Sequence, residues 1–145
     1  MREILFRGKS TGLVNGDSIW IEGGIFKDSR NDQVYILYEI GDADLPMPKY
    51  FSFSPVMPHT VGQFTGLFDK NGTKIFEGDI VHDDADDHRR DAFKWGNMIV
   101  NYENGGFYPF LIYDYEFQTE TVNCEVIGNI HDNPELIKEI RNANN

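Results

Sequence analysis

The chain reads as a mostly β protein: an antiparallel meander, then a small SH3-like, barrel-type C-terminal half, then one short C-terminal helix. Three observations predict this class. Asn-Gly pairs at Asn15-Gly16, Asn71-Gly72 and Asn104-Gly105 mark tight hairpin turns, because both residues tolerate positive φ. The runs between them are short and rich in aromatic and β-branched residues, often in alternation. Only the segment after Asp132 carries helix-start signals. The length suits one domain, 1–145, with lobes expected at 1–60 and 61–145.

Arg2 to Arg7 predicts the first strand, with Gly8 to Gly12 as a loop. Ile19-Trp20-Ile21-Glu22 predicts a second, broken or bent at Gly23-Gly24 and resumed at Ile25-Phe26-Lys27. Gln33 to Ile40 is nearly continuous in apolar residues, so it is expected to be covered on both faces. Pro46 and Pro48 keep the next segment out of regular pairing. Tyr50 to Ser54 alternates, placing Phe51 and Phe53 on one face. Pro55 and Pro58 bound a turn that holds His59, read as a solvated loop histidine.

Gln63 to Val81 is the stretch with the clearest local structure. Gln63–Phe68 and Thr73–Phe76 form strands around the Asp69-Lys70-Asn71-Gly72 turn. Glu77-Gly78-Asp79 is a second corner, and Ile80-Val81 opens another strand. Ile75 and Phe76 put apolar side chains on both faces, so this strand too is expected to be covered on both. His82 to Asp91 reads as an acidic loop. Lys94 to Tyr102 reads as a strand with a bulge at Gly96-Asn97. Phe107 to Phe117 is an aromatic strand region, and Glu120 to Ile130 the last strand, bending at Gly128. Asn133 is expected to cap a helix begun by Pro134 and Glu135, with Leu136, Ile137 and Ile140 as a narrow apolar stripe ending near Arg141.

Charge narrows the functional classes. The net charge of −11 disfavours the phosphate backbone of nucleic acids and anionic membrane surfaces, both of which need Lys and Arg. Aromatics make up 14% of the residues, which argues for a packed core and against disorder. A single cysteine, Cys124, excludes a disulfide within the chain. It alternates with Val122 and Val126, so it reads as a buried thiol. No apolar run has the length of a signal-peptide core or a membrane span.

Motifs for catalysis are missing. Gly8-Lys9-Ser10-Thr11 resembles the end of a phosphate-binding loop, but the upstream glycine would fall at Glu3, and no helix pattern follows. The sharpest chemical feature is the loop after Val81. His82, Asp83, Asp84, Asp86, Asp87 and His88 are candidate metal ligands. Their spacing matches no calcium loop, and Arg89 and Arg90 supply internal counter-charge, so a solvated or partner-binding loop is the competing reading. No cofactor is expected. The aromatics at 107–117 are flanked by Asp114 and Glu116 without Lys or Arg, which favours a core or subunit-interface stripe over a nucleic-acid platform.

Three blocks carry a family resemblance. They are Met1-Arg2-Glu3-Ile4 with Phe6-Arg7, then Thr60 to Leu67 continuing through Asp69-Lys70-Asn71-Gly72 and Ile75 to Val81, and finally Val126 to Ile130 with Asn133-Pro134-Glu135-Leu136. In this order they resemble the YopX family of phage and prophage proteins, over nearly the whole chain. The resemblance implies a mostly β protein of a mobile element, able to form homo-oligomers and working in the cytoplasm of a bacterial host. It supplies no catalytic residues to carry over.

The expected function is therefore a non-catalytic interaction or assembly module, a homo-oligomer that engages a host or phage protein. An acidic decoy of a host nucleic-acid-binding protein is the alternative, on the strength of the charge. A metal-dependent enzyme using the 82–91 loop is third.

Overall fold

The computed structural model describes residues 3–41, 50–83, 96–110 and 121–143. The chain divides into two units, Met1–Phe64 and Thr65–Asn145. Both are built from antiparallel strands, and one helix, α1 (Pro134–Ala143), closes the described chain.

In the first unit, β1 (Phe6–Lys9), β2 (Trp20–Lys27), β3 (Val34–Ile40) and β4 (Tyr50–Val56) form a sheet, and the start of β5 (Gly62–Phe68) joins it. The order is β4-β3-β2-β1-β5. β1 begins four residues later than the alternation predicts and includes Gly8 and Lys9, which were expected in a loop. Pairing decides this: Phe6 to Lys9 face Gly23 to Trp20, and Phe6 and Arg7 also face Gln63 and Gly62. Ser10, one residue on, accepts the Ile19 N–H on its Oγ at 3.1 Å and donates to the Gly12 carbonyl at 2.6 Å. The Gly-Lys-Ser-Thr run is thus spent on a strand end.

β2 is one strand, not two. Its first half pairs with β1 and its second half, from Gly24, with β3. The exchange of partners occurs at Gly23, where a Cβ would stand 1.8 Å from the Leu37 carbonyl oxygen. Only glycine lets the two backbones come so close. Between β2 and β3, the Asp28 N–H donates to the Gln33 carbonyl at 2.8 Å and Asp32 adopts φ 59°.

Val34, Ile36 and Val56 form the buried centre of this unit, with Phe6, Ile21 and Val61 packed on it. Each fully buried aliphatic side chain contributes on the order of 2 kcal/mol. This core covers one face of β3 only. Leu37 on the other face is 44% exposed, so the expectation that β3 is covered on both faces is wrong. Apolar continuity cannot distinguish a strand buried on both sides from one that leaves an apolar face open.

In the second unit, the end of β5 pairs with β6 (Lys74–Phe76). A three-stranded sheet runs in the order β11 (Glu125–Asn129), β7 (Asp79–Asp83), β8 (Gly96–Ile99), and a hairpin joins β9 (Asn101–Glu103) to β10 (Gly106–Tyr108). Ile75, Val81, Met98, Val100 and Cys124 form the core. Ile75 and Phe76 are both buried, as their strand's pattern predicts. His82 and Asp83, assigned to a loop from sequence, instead complete β7. β11 shifts register between Val126 and Gly128, where a bend was expected.

The Asn-Gly turns are not equivalent. Asn15-Gly16 and Asn104-Gly105 both have positive φ at each residue (51° and 88°, 50° and 83°), as two-residue hairpin turns require. At Asn71-Gly72 only Gly72 is left-handed, at φ 82°. Here the buried Asp69 holds the loop: Oδ1 accepts the N–H groups of Asn71 at 2.9 Å and Thr73 at 2.8 Å, while Oδ2 accepts that of Val126 at 3.0 Å. One carboxylate thereby ties the turn to β11. Asp79 is equally buried and accepts the Phe76 N–H at 2.8 Å. Ahead of α1, Asn129 Oδ1 accepts the N–H groups of His131 and Asp132. The expected Asn133 cap is turned around: its Oδ1 accepts the N–H of Asn129 at 3.1 Å, on the chain before the helix. Among the described residues, no helix is long and apolar enough to cross a membrane.

Candidate interaction surface

The uncovered face of the first sheet is the feature with functional content. Residues directly opposite in antiparallel strands project to the same side. The pairs Phe26↔Tyr35, Tyr35↔Pro55, Leu37↔Phe53 and Glu39↔Phe51 therefore lie together, opposite the Val34–Ile36–Val56 core. Phe26 is 62% exposed, and Phe51 and Phe53 are each 66% exposed. Single exposed apolar residues are ordinary, but a contiguous aromatic patch on three adjacent strands marks a binding surface.

The patch has shape. Phe26 on β2 and Phe53 on β4 stand as walls on either side of β3, and Tyr35 and Leu37 form the floor of a concavity of about 440 Å³. Tyr35 meets Phe53 edge-on, at 5.6 Å and 80° between rings, and Phe26 at 6.4 Å and 38°. Asp28 and Arg30 complete the lining. Arg30 grips Asp28 in a fork, with Nε to Oδ1 at 3.0 Å and Nη2 to Oδ2 at 2.8 Å, while its backbone N–H donates to Oδ1 at 2.9 Å. The guanidinium holds the Asp28 carboxyl below its ordinary range, and Asp28 raises Arg30 in turn. Asp28 is buried and Arg30 projects outward, so the groove ends in a fixed, internally neutralised pair. Such an arrangement can bind apolar and aromatic groups.

A second cluster on this sheet joins Arg7 and Lys9 to Trp20. The Arg7 guanidinium carbon lies 4.5 Å from the indole centroid and Lys9 Nζ lies 5.7 Å from it. These contacts use the cations locally as cation–π partners.

The predicted metal ligands are only partly within the described chain. His82 and Asp83 are half-buried at the end of β7, and His82 Nδ1 lies 2.8 Å from Asn97 Oδ1, its cross-strand partner. Asp84, Asp86, Asp87 and His88 lie outside the described residues. Among the described residues, no group of three or more His, Cys, Asp or Glu is placed to hold a metal ion. Cys124 is buried in the second core, and burial, with the nearby charges of Asp69 and Asp83, pushes its thiol up to about 12. Of the aromatic run at 107–117, Phe107 is buried and stacks edge-on against Tyr102 at 5.2 Å, Tyr108 is half-buried at the end of β10, and Phe110 packs on the second core; Tyr113, Tyr115 and Phe117 lie outside the described residues.

Sequence reasoning placed Phe51 and Phe53 on one face but did not identify the surface, because it assigned β3 a cover on both sides. The signal was present in the alternation of β4, whose polar positions are only serines.

Comparison with known proteins bears on the whole chain. A family model described as YopX protein matches residues 6–138. Among solved structures, the crystal structure of protein EF1440 from Enterococcus faecalis is similar at 25% identity, covering 94% of this chain and 99% of that one, with a TM-score of 0.54. The search of curated proteins finds no match.

Proposed function

The chain belongs to the YopX family, and from that membership we propose that it is a non-catalytic interaction and assembly module of phage or prophage origin, acting in the cytoplasm of a bacterial host. The observation that carries the reading is the exposed aromatic face of the first unit, where Phe26, Leu37, Phe51 and Phe53 stand open to solvent. Leaving such a face uncovered costs solubility, which makes contact with a protein surface the reading that best accounts for it. The module assembles with itself and presents the rest of its surface to a host or phage protein. Static light scattering across a concentration series tests this. A mass above 16.7 kDa is expected, and a strict monomer at high concentration would sink the assembly reading.

The uneven distribution of charge favours a second reading. The first unit carries six Lys and Arg against eight Asp and Glu, net −2; the second carries seven against sixteen, net −9. An acidic second unit could act as a decoy for a basic host protein. Asp69 and Asp79 are buried and bonded to backbone, so they add nothing to such a face. Competition with DNA for a basic host protein would support the decoy, and lack of competition at low salt would remove it.

A further inference from the structure

β4 lies at the end of the strand order, and its outer edge is only partly covered. At its C-terminal end, Thr11 N–H donates to the Pro55 carbonyl at 3.1 Å and Met57 N–H donates to the Lys9 carbonyl at 2.8 Å. Backbone groups alternate sides along a strand, so Phe53 and Phe51 aim their N–H and C=O groups toward this same edge. Among the described residues, no strand pairs with them there. Edge strands are usually blunted by charge or proline. Pro55 stands at the end already covered by Thr11, and Tyr50 to Ser54 carries neither, although the chain as a whole is at −11.

We infer that a second copy of the chain pairs with this edge, β4 against β4, about a two-fold axis through Ser52. This deepens the assembly reading above and rests on it. The local sequence is symmetric, Phe51-Ser52-Phe53, so antiparallel pairing about Ser52 sets Phe51 opposite Phe53 of the partner subunit, and the reverse. Each such pair exchanges two backbone hydrogen bonds, and four phenyl rings then adjoin on the open face in cross-strand contact. A two-fold contact sets a patch against itself, so it needs a surface without net charge. Two chains of −11 cannot meet through their acidic surfaces, and the first unit carries only −2 of that charge. An uncharged, palindromic edge satisfies the requirement.

The two-fold axis makes a sharp test. Ser52 would face its own copy at a non-hydrogen-bonded site, with Cα atoms about 4.5 Å apart, within disulfide range. Ser54 would stand about 13 Å from its copy, beyond it. Purified full-length Ser52→Cys and Ser54→Cys are oxidised under native conditions and run on a non-reducing gel, beside light scattering of the unmodified chain. The native Cys124 is buried and does not interfere. A dimer by scattering, cross-linked through Ser52→Cys and not Ser54→Cys, is expected. Phe53→Lys, at an exposed position, should keep the circular dichroism and halve the mass. An assembly that survives Phe53→Lys, or that cross-links at neither position or only at Ser54→Cys, would overturn edge pairing in this register while leaving assembly standing. A strict monomer would overturn both and leave the edge to a strand of a different protein.

Discussion

Asp69 shows how a single residue of the central hairpin holds the second unit together. Burial pushes its carboxyl upward, but the N–H groups of Val126, Thr73 and Asn71 outweigh this and hold it below its ordinary value of 3.8. Asp69→Ala takes the acceptor from three part-buried backbone N–H groups and should cost about 3 kcal/mol in urea unfolding. The pH dependence follows from the sign of the shift. A depressed carboxyl stabilises the fold above its unfolded value and loses that contribution as pH falls through the folded value. Wild-type stability should thus drop below about pH 4 with a component absent in Asp69→Asn. Cys124 behaves oppositely. Its thiol has an ordinary value of 9.0, raised to about 12 in the fold, so its contribution to stability is constant below pH 9 and declines from there toward 12. A thiol reagent at pH 8 should label Cys124 only once denaturant is added.

At the scale of elements, the exchange of partners along β2 is the decisive feature of the first unit. Gly23 lies against the Leu37 carbonyl, whereas a Cβ on Gly24 would meet nothing closer than 3.9 Å. Gly23→Ala should destabilise by about 3 kcal/mol or more, because the obstacle is backbone. Gly24→Ala should cost less than about 1 kcal/mol, read by the same thermal melt. The sequence signalled a break at this glycine pair but not what the break accomplishes. Partner exchange is a property of three strands at once, since β2 leaves β1 and joins β3 there. The same limit explains β1, whose bounds follow from its neighbours β2 and β5 rather than from its own alternation. Hairpin turns were legible because their information is local: Asn15-Gly16 and Asn104-Gly105 need only left-handed φ at adjacent residues.

For the whole molecule, charge and apolar surface are segregated along the chain. Most of the net charge belongs to residues 65–145, while the open aromatic face belongs to residues 1–64. Assembly through the aromatic face should therefore tighten as salt rises, because salt screens the repulsion between copies and leaves the apolar contact intact. A decoy binding a basic partner should weaken under the same titration. Light scattering and partner binding measured from low to high salt separate the two readings by the direction of change.

By itself the sequence determined the mostly β class, the hairpin corners, the helix start and the burial of Ile75, Phe76 and Cys124. These depend on residues near one another in the chain, where φ preference and alternation act directly. It also carried the family blocks, and the structure gives several of their residues bonding roles: Asp69 reaches Val126, Asp79 reaches Phe76, and Asn133 reaches Asn129. Only the tertiary structure decided which face of β3 is covered, and so where the candidate surface lies. The residues Val34 to Ile40 have apolar side chains in both directions, and the one-sided core of Phe6, Ile21 and Val56 comes from three other segments. Burial is settled by what packs against a strand, and that partner is distant in sequence.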